Sequence, residues 1–304
     1  MKAVKNKNSK RNFDLSPYFF ILPALIIVII FLLIPTIYAF FLSFTDAALL
    51  TVKKAQFIGA GNLVNFVRSG AFRKVIGATL SYVIGGVSLT YVFGLATAIL
   101  LNQKFIGRAI ARSILILPWA VPQIVLVIIW RWMLNPGFGI VNYILNKIGI
   151  LPSLGFSWFT TPTLAMVAVL TATIWKQYPL GCLILLGGLQ SISTDLYEAA
   201  SIDGASSFGK FRYITIPGLK YVTTILILLL TIWHFTNFTV IWLLTQGGPS
   251  EATSTLTIYT YLNAFKFHKL GYGAFLGTIT FFISLVFSVF YYILVIKKVD
   301  RDLK

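Results

Sequence analysis

Charge is the scarcest property of this chain. Only 11% of its 304 residues are charged and only eight are acidic, whereas 58% are hydrophobic. A soluble globular domain carries about a quarter charged residues, so the composition excludes an ordinary soluble enzyme or binding domain. The formal net charge of +17 does not indicate nucleic-acid binding, because the basic residues flank apolar segments, as orientation in a membrane requires.

Cysteine is nearly absent as well. Cys182 is the single one, so no intramolecular disulfide can form, and its apolar surroundings predict a buried thiol. The N-terminus also lacks the pattern of a cleaved signal peptide. Its basic residues precede an uncharged run at 15–45, which is longer than the apolar core of about 7–15 residues in a signal peptide. We therefore expect a retained first spanning helix.

Long uncharged stretches recur along the sequence. A spanning helix needs about 20 mostly apolar residues. The sequence predicts an all-α polytopic membrane protein with six such helices, at 18–44, 77–101, 112–132, 164–188, 221–244 and 272–296. Proline and glycine between 133 and 163 predict an outer loop with a short amphipathic helix. Residues 62–74 predict an interfacial helix ahead of the second span.

The distribution of Lys and Arg predicts that both termini are cytoplasmic. With the N-terminus inside, fifteen of these residues fall in cytoplasmic segments and eight in outer ones, and basic loop residues favour the cytoplasmic side. The predicted organisation is a basic cytoplasmic segment at 1–14, a six-helix domain at 15–300 and a cytoplasmic tail at 301–304. Residues 189–220 then form a cytoplasmic loop.

The loop at 189–220 carries an ordered pattern of charged and small residues. Asp195 and Glu198 have the spacing of a capping box, in which two side chains satisfy free N–H groups at the start of a helix. Gly204 suits the left-handed residue that ends such a helix. Ala199 and Ala200 have small side chains and leave a flat surface that another protein can approach closely. Because a connector in water needs no such pattern, we expect this loop to dock into another protein.

The same residues carry a resemblance to a known family. The run Glu198-Ala-Ala-Ser-Ile-Asp-Gly204, followed by Phe211, Ile214 and Pro217, resembles the EAA signature of binding-protein-dependent ABC importer permeases. The run Thr245-Gln-Gly-Gly-Pro249 is similar to the last outer loop of the maltose-type sugar permeases. The resemblance implies a type I ABC importer permease fold and the transmembrane subunit of an ATP-driven sugar importer. The residues implied to couple it to a separate ATPase are Glu198, Ala199, Ala200, Asp203 and Gly204.

The resemblance also implies the partners. They are a second, homologous permease, two cytoplasmic ATPase subunits and an extracytoplasmic solute-binding protein, in the cytoplasmic membrane of a bacterium or archaeon, with a sugar as cargo and no nucleic acid. No G-x-x-x-x-G-K-[ST] sequence occurs in the chain. ATP and Mg are therefore expected on the partner ATPase, and we expect no enzymatic activity, cofactor or metal site in this chain.

Two spans carry polar faces that are candidates for the translocation path. Polar groups inside a span usually face a cavity or a partner. In the fourth span the spacing i, i+3, i+4 puts three polar residues on one face, and the fifth span has a similar face. Together they supply hydroxyl-pairing groups and an aromatic plate for a sugar, on the two spans where the family's sugar contacts fall. These residues are Thr173, Lys176, Gln177, Trp233, His234 and Asn237.

The alternatives stay open at this point. Thr, Asn and His also hold membrane helices together. Lys176 is costly in a bilayer, so it lines water, pairs with a carboxylate of a partner chain, or meets an anionic substrate. Pro179 and Gly181 predict either a helix break at a substrate site or a passive kink.

Two other functions compete with an importer subunit. An ion-coupled secondary carrier would need carboxylates in its spans, and the predicted spans contain none. A membrane scaffold that transports nothing would explain a docking loop but not polar faces in two consecutive spans.

Overall fold

The computed structural model describes residues 16–153 and 155–293, and all of their regular structure is helical. Within these ranges no β-strand forms, and a single isolated bridge joins Thr45 to Phe57. The helices are α1 (Ser16–Val28), α2 (Ile34–Leu42), α3 (Gly61–Arg68), α4 (Ala71–Asn102), α5 (Arg108–Ala120), α6 (Gln123–Met133), α7 (Ile140–Lys147), α8 (Pro162–Gln190), α9 (Thr194–Ile202), α10 (Ser207–Lys210), α11 (Ile216–Gly218), α12 (Lys220–Thr236), α13 (Thr239–Thr245), α14 (Leu256–Tyr261) and α15 (Leu270–Tyr291). Wider π-helical turns at Ile29–Leu33, Phe211–Thr215 and Leu262–Lys266 join neighbouring helices, and Val52–Lys54 is a 3₁₀ turn.

Four helical stretches are long and apolar enough to cross a membrane: Phe19–Leu42, α4, α8 and α15. Two further stretches qualify only as bent pairs. The pair α5 and α6 is bent by 98°, and the pair Ser207–Gly218 and α12 by 65°. Counting each bent pair as one span gives up to six, the predicted number. The prediction of one straight helix over 112–132 is wrong.

The element boundaries correct several predictions and confirm one. The predicted interfacial helix at 62–74 ends at Arg68, and residues 71–74 already belong to α4. The short helix expected between 133 and 163 is present as α7. The predictions for 1–14, 294–300 and 301–304 lie outside the described residues.

The packing centre of the fold is the pair α4 and α8, which share the most extensive helix contact. The two backbones approach closely at Gly94, where a Cβ atom would lie 3.1 Å from the carbonyl carbon of Gly181. Small residues allow such close approach between membrane helices. Cys182, the next residue along α8, is buried as predicted.

Two apolar clusters lie along this central pair. One joins α4 and α8 to α6 and α13, around Val169 and Ile241. The other joins them to α12, around Leu185 and Leu226. The polar residues of α8 predicted from the sequence lie between these clusters along the helix.

No helix break occurs at Pro179. This proline is buried inside α8, which continues from Pro162 to Gln190 without interruption. Of the two possibilities left open by the sequence, a helix break at this proline is therefore wrong. Besides the 65° bend before α12, the spans are broken between α5 and α6 and between α12 and α13.

Candidate functional site

The first break follows from the dipeptide Val121-Pro122. Proline has no N–H to continue a helix and disfavours helical geometry in the residue before it. Val121 is extended (φ −64°, ψ 129°), α5 ends at Ala120, and α6 starts at Gln123 in a new direction. The last carbonyl groups of α5 therefore have no partner in their own helix.

Lys176 of α8 satisfies two of these carbonyl groups. Its Nζ donates a hydrogen bond of 2.9 Å to the backbone oxygen of Trp119 and another to that of Val121. A cation is favourable here, because the C-terminal end of a helix carries a partial negative charge. The half-buried ammonium group of α8 thus supplies hydrogen bonds to backbone oxygens at the first break, where α5 has none of its own to offer.

The second break separates α12 from α13. Asn237 leaves helical geometry (φ −69°, ψ 122°) directly after Thr236, and α13 begins at Thr239. The backbone oxygen of Asn237 accepts a hydrogen bond of 3.0 Å from Oγ1 of Thr257. The prediction of one continuous span over 221–244 is therefore wrong.

The two breaks meet at one cavity of about 390 Å³. This is within the range of small-molecule pockets in proteins. We call it the break cavity, and it is lined by Trp119, Gln123, Lys176, Gln177, Leu180, Trp233, Thr236, Asn237, Phe238 and Thr239. Four of the six predicted path residues are in this wall.

The break cavity contains polar atoms without partners. In the part of the chain that the structure describes, Oε1 of Gln177 and Oδ1 of Asn237 are buried and accept no hydrogen bond. An unsatisfied buried polar group costs about 1–3 kcal/mol, and a turn of either side chain toward a ligand hydroxyl in the cavity would relieve this cost. Trp233, 39% exposed, adds an aromatic surface beside these oxygens.

Thr173 and His234 occupy a different position from the other predicted path residues. Thr173 is buried; its hydroxyl donates to the backbone oxygen of Val169, so the hydroxyl of Tyr82 donates to it at 3.2 Å. His234 is also buried, and its Nδ1 lies 2.8 Å from the backbone oxygen of Leu230. Both residues pack between helices, and neither is in the wall of the break cavity.

Six wall residues were not predicted from the sequence, and Trp119 and Gln123 are the two that lie on the predicted third span. They flank the break in the predicted third span, which was read there as one uninterrupted helix. Pro122 was the available signal, because a proline inside a span restricts the residue before it.

The helix α9 begins differently from the prediction. The residue that caps α9 is Ser193, whose hydroxyl accepts a hydrogen bond of 3.2 Å from the backbone N–H of Asp195. Asp195 is the second residue of the helix and Glu198 its fifth. The predicted capping box is therefore wrong, and the Glu198 carboxylate is exposed and not engaged at the helix start.

The end of α9 confirms the role predicted for Gly204. This residue is left-handed (φ 76°), and its N–H donates to the oxygen of Ser201 at 3.1 Å. The next N–H, of Ala205, donates to the oxygen of Ala200 at 2.8 Å. These are the two hydrogen bonds of a Schellman motif, so the helix ends sharply.

The surface around α9 is exposed and partly apolar. Glu198 is exposed and forms no ion pair with any described residue. Three large apolar side chains in and after α9 are also exposed: Ile202, Phe208 and Tyr213 are 88%, 73% and 79% exposed. Exposed apolar groups of this density mark interaction surfaces.

The α9 segment is tied to the residues that lead into α12. The hydroxyl groups of Tyr197 and Thr215 share a hydrogen bond of 2.9 Å. Ile192 packs against Gly218, where a Cβ atom would lie 2.6 Å from the isoleucine Cδ1. The segment is therefore held to the helix that carries Trp233.

The chain is similar to known inner-membrane transport proteins. The family described as binding-protein-dependent transport system inner membrane component matches residues 90–299. The trehalose/maltose transport system permease protein MalF of Thermococcus litoralis is 36% identical, over 94% of both chains. The sulfoquinovosyl glycerol transport system permease protein SmoG of Agrobacterium fabrum is 32% identical, over 88% of this chain and 86% of its own.

The fold is also that of a solved transporter. A chain of a bacterial ABC transporter involved in the import of the acidic polysaccharide alginate superimposes with a TM-score of 0.79, over 95% of this chain and 96% of its own, at 22% identity. This likeness shows a type I importer permease fold. The chain belongs to the family of binding-protein-dependent transport system inner membrane components, the multi-pass permease subunits of ABC importers.

Proposed function

We propose that this permease carries a sugar and forms half of its translocation path. The observation that carries the proposal is the break cavity, where two unpartnered amide oxygens lie beside an aromatic surface. Amide groups and aromatic rings are what a sugar's hydroxyl groups and C–H faces need. The names of both relatives, one for trehalose/maltose and one for sulfoquinovosyl glycerol, support a sugar derivative as cargo.

The proposed substrate contacts are Lys176, Gln177, Trp233 and Asn237, because all four line the cavity. Thr173 and His234 do not line the cavity. They would affect a sugar only by positioning the residues that do. No neighbouring permease is needed to form the cavity, but the other half of the path would come from a second, homologous chain.

The exposed α9 surface would dock into a separate ATPase. The residues proposed for this contact are Glu198, Ala199, Ala200, Asp203 and Gly204. Glu198 has a free carboxylate and would pair with a basic residue of that subunit. ATP and Mg would be bound by two such ATPases on the cytoplasmic side, with both termini of this chain on the same side.

The route from this surface to the cavity would be α12. The segment that docks is held to the start of α12 through Tyr197, and α12 ends at the cavity beside Asn237. A helix of 17 residues spans about 25 Å. Movement of the ATPases would thus reach the cavity through the bent helical stretch formed by Ser207–Gly218 and α12, as alternating access requires. A solute-binding protein would deliver the sugar on the opposite side, in a bacterial or archaeal cytoplasmic membrane.

Substitution of the two cavity amides tests the proposal. Gln177→Leu and Asn237→Leu remove the unpartnered oxygens while keeping side chains of similar size. We expect uptake by the reconstituted transporter to fall about fivefold or more in each variant, because each lost sugar contact removes about 1 kcal/mol or more, while binding of the ATPase stays unchanged. Thr171→Val, on an exposed turn of α8, is the control. Unchanged uptake kinetics in both leucine variants would contradict the proposal.

A further inference from the structure

We infer that the sugar carries an acidic group, a carboxylate, sulfonate or phosphate, and that the ammonium group of Lys176 recognises it. This inference rests on the proposed function and names the substrate class of the same cavity. It follows from the charge balance of the wall, from the hydrogen bonds of Lys176 and from the position of α6.

The charge of Lys176 has no counter-charge among the residues that the structure describes. It is the one charged side chain among the residues lining the break cavity. No described carboxylate forms an ion pair with it, and those at Asp195, Glu198 and Asp203 belong to the α9 segment. A cation at membrane depth is expensive unless an anion or water meets it.

Its hydrogen bonds leave the ammonium group only partly satisfied. An ammonium group has three donors and no acceptor. Two of them are used by the backbone oxygens of Trp119 and Val121. These oxygens orient the group at the break without neutralising it, since they carry only partial charge. One donor and most of the positive charge remain for a ligand in the cavity.

The beginning of α6 adds to the same positive potential. This helix starts at Gln123, which also lines the break cavity. The first N–H groups of a helix have no partner within it, and its N-terminal end carries a partial positive charge. The Lys176 ammonium and this helix end therefore favour an anion in the same wall.

The neutral wall residues complete the recognition. Oε1 of Gln177 and Oδ1 of Asn237 accept hydrogen bonds only, so they suit sugar hydroxyl groups and would repel an acidic group. An acidic sugar would consequently bind in one orientation, with its acid toward Lys176 and its hydroxyl groups toward the two amides. A neutral sugar would satisfy the amides and leave the ammonium group uncompensated.

Direct binding to the assembled transporter tests the inference. The complex with its second permease and ATPases is purified, and binding is followed by the fluorescence of Trp119 and Trp233 or by calorimetry, without the solute-binding protein. The probes are matched pairs: glucose with glucuronate and glucose 6-phosphate, and galactobiose with digalacturonate. We expect at least one acidic probe to bind about tenfold or more tightly than its neutral counterpart, and this preference to weaken as salt is raised.

Two variants separate charge from shape. Lys176→Gln keeps N–H donors for the two backbone oxygens but removes the charge, and we expect the acidic preference to fall to about twofold or less. Lys176→Arg keeps the charge and should retain most of the preference. Lys147→Gln, which removes an exposed charge far along the chain in α7, is the control.

The outcomes distinguish this inference from the proposed function. Neutral probes that bind as tightly as acidic ones would overturn it while leaving a sugar site in place. The same holds if Lys176→Gln weakens neutral and acidic probes equally, because the lysine would then serve only to close the break. Absence of binding by every probe of either class would overturn the proposed function, and the inference with it.

Discussion

Gly86 of α4 lies directly against the imidazole ring of His234 in α12, with no room for a side chain between them. A Cβ atom built on Gly86 would overlap the Nε2 and Cδ2 atoms of His234. The ring of Tyr82, one turn earlier in α4, lies 5.4 Å from the imidazole. The last turn of α12 is thus seated in a notch of α4, and this contact sets the position of Trp233 in the cavity wall.

Gly86→Ala should therefore destabilise the protein. Overpacking a tight contact costs about 1–3 kcal/mol, because α12 or the histidine ring must shift. Thermal unfolding of the purified transporter measures the effect. Gly77→Ala is the matched control, since it lies in the same helix with no atom within 4 Å of the added methyl group; alanine there should be neutral or stabilising. Equal loss of stability in both variants would refute the role of the notch.

The sequence was sufficient for up to six spans, when each bent pair counts as one, and for the end of α9. Both depend on local signals: long apolar runs for the spans, and Gly204 for the sharp end of α9. The breaks in the third and fifth spans were not predicted. At Val121-Pro122 the signal was present, but apolar residues continue on both sides. At Asn237 no proline or glycine marks the break, and it depends on the contact with Thr257, which is distant in sequence.

The wall of the break cavity was predicted only in part, because its depth in the fold depends on contacts that are distant in sequence. Helical spacing assigned Thr173 and Gln177 to one face of α8, and they are one turn apart. Only the second is at the level of the breaks, whereas Thr173 is at the level of Tyr82 and is buried by it. Spacing gives the face of a helix, but the depth at which a cavity opens depends on the neighbouring helices. The same limit applies to His234.

Ser193→Ala should loosen the start of the coupling helix. It removes the hydroxyl that accepts from the N–H of Asp195, and loss of such a cap costs about 0.5–2 kcal/mol. Hydrogen exchange of the α9 amides should become faster, with the spanning helices unaffected. Thr194→Ala is the control, because its hydroxyl caps nothing in the structure. Protection that stays unchanged in Ser193→Ala would show that the cap is not needed.

Thr79→Val should weaken the contact between α4 and α14. The Thr79 hydroxyl accepts a hydrogen bond of 2.9 Å from the buried backbone N–H of Leu256. Valine has a similar shape but no acceptor, so this N–H would be buried without a partner, at about 1–3 kcal/mol. The melting temperature should fall. Thr171→Val, whose hydroxyl bonds only within its own helix, should leave it unchanged, and a fall of equal size there would contradict the assignment.

Glu198→Lys should abolish ATP-driven uptake while the protein remains in the membrane. The carboxylate is exposed and forms no ion pair with a described residue, so its reversal should not disturb the described fold, and a lysine would repel the basic residue expected on the ATPase. Capture of the ATPase by the purified permease pair should fall together with uptake. Asp195→Lys reverses a charge on the same helix outside the five proposed coupling residues. The Asp195→Lys variant should retain most of the uptake, because a positive charge near the start of a helix destabilises it by only about 0.3–1 kcal/mol. If Glu198→Lys captured the ATPase normally and transported at the normal rate, the α9 surface would not be the coupling site.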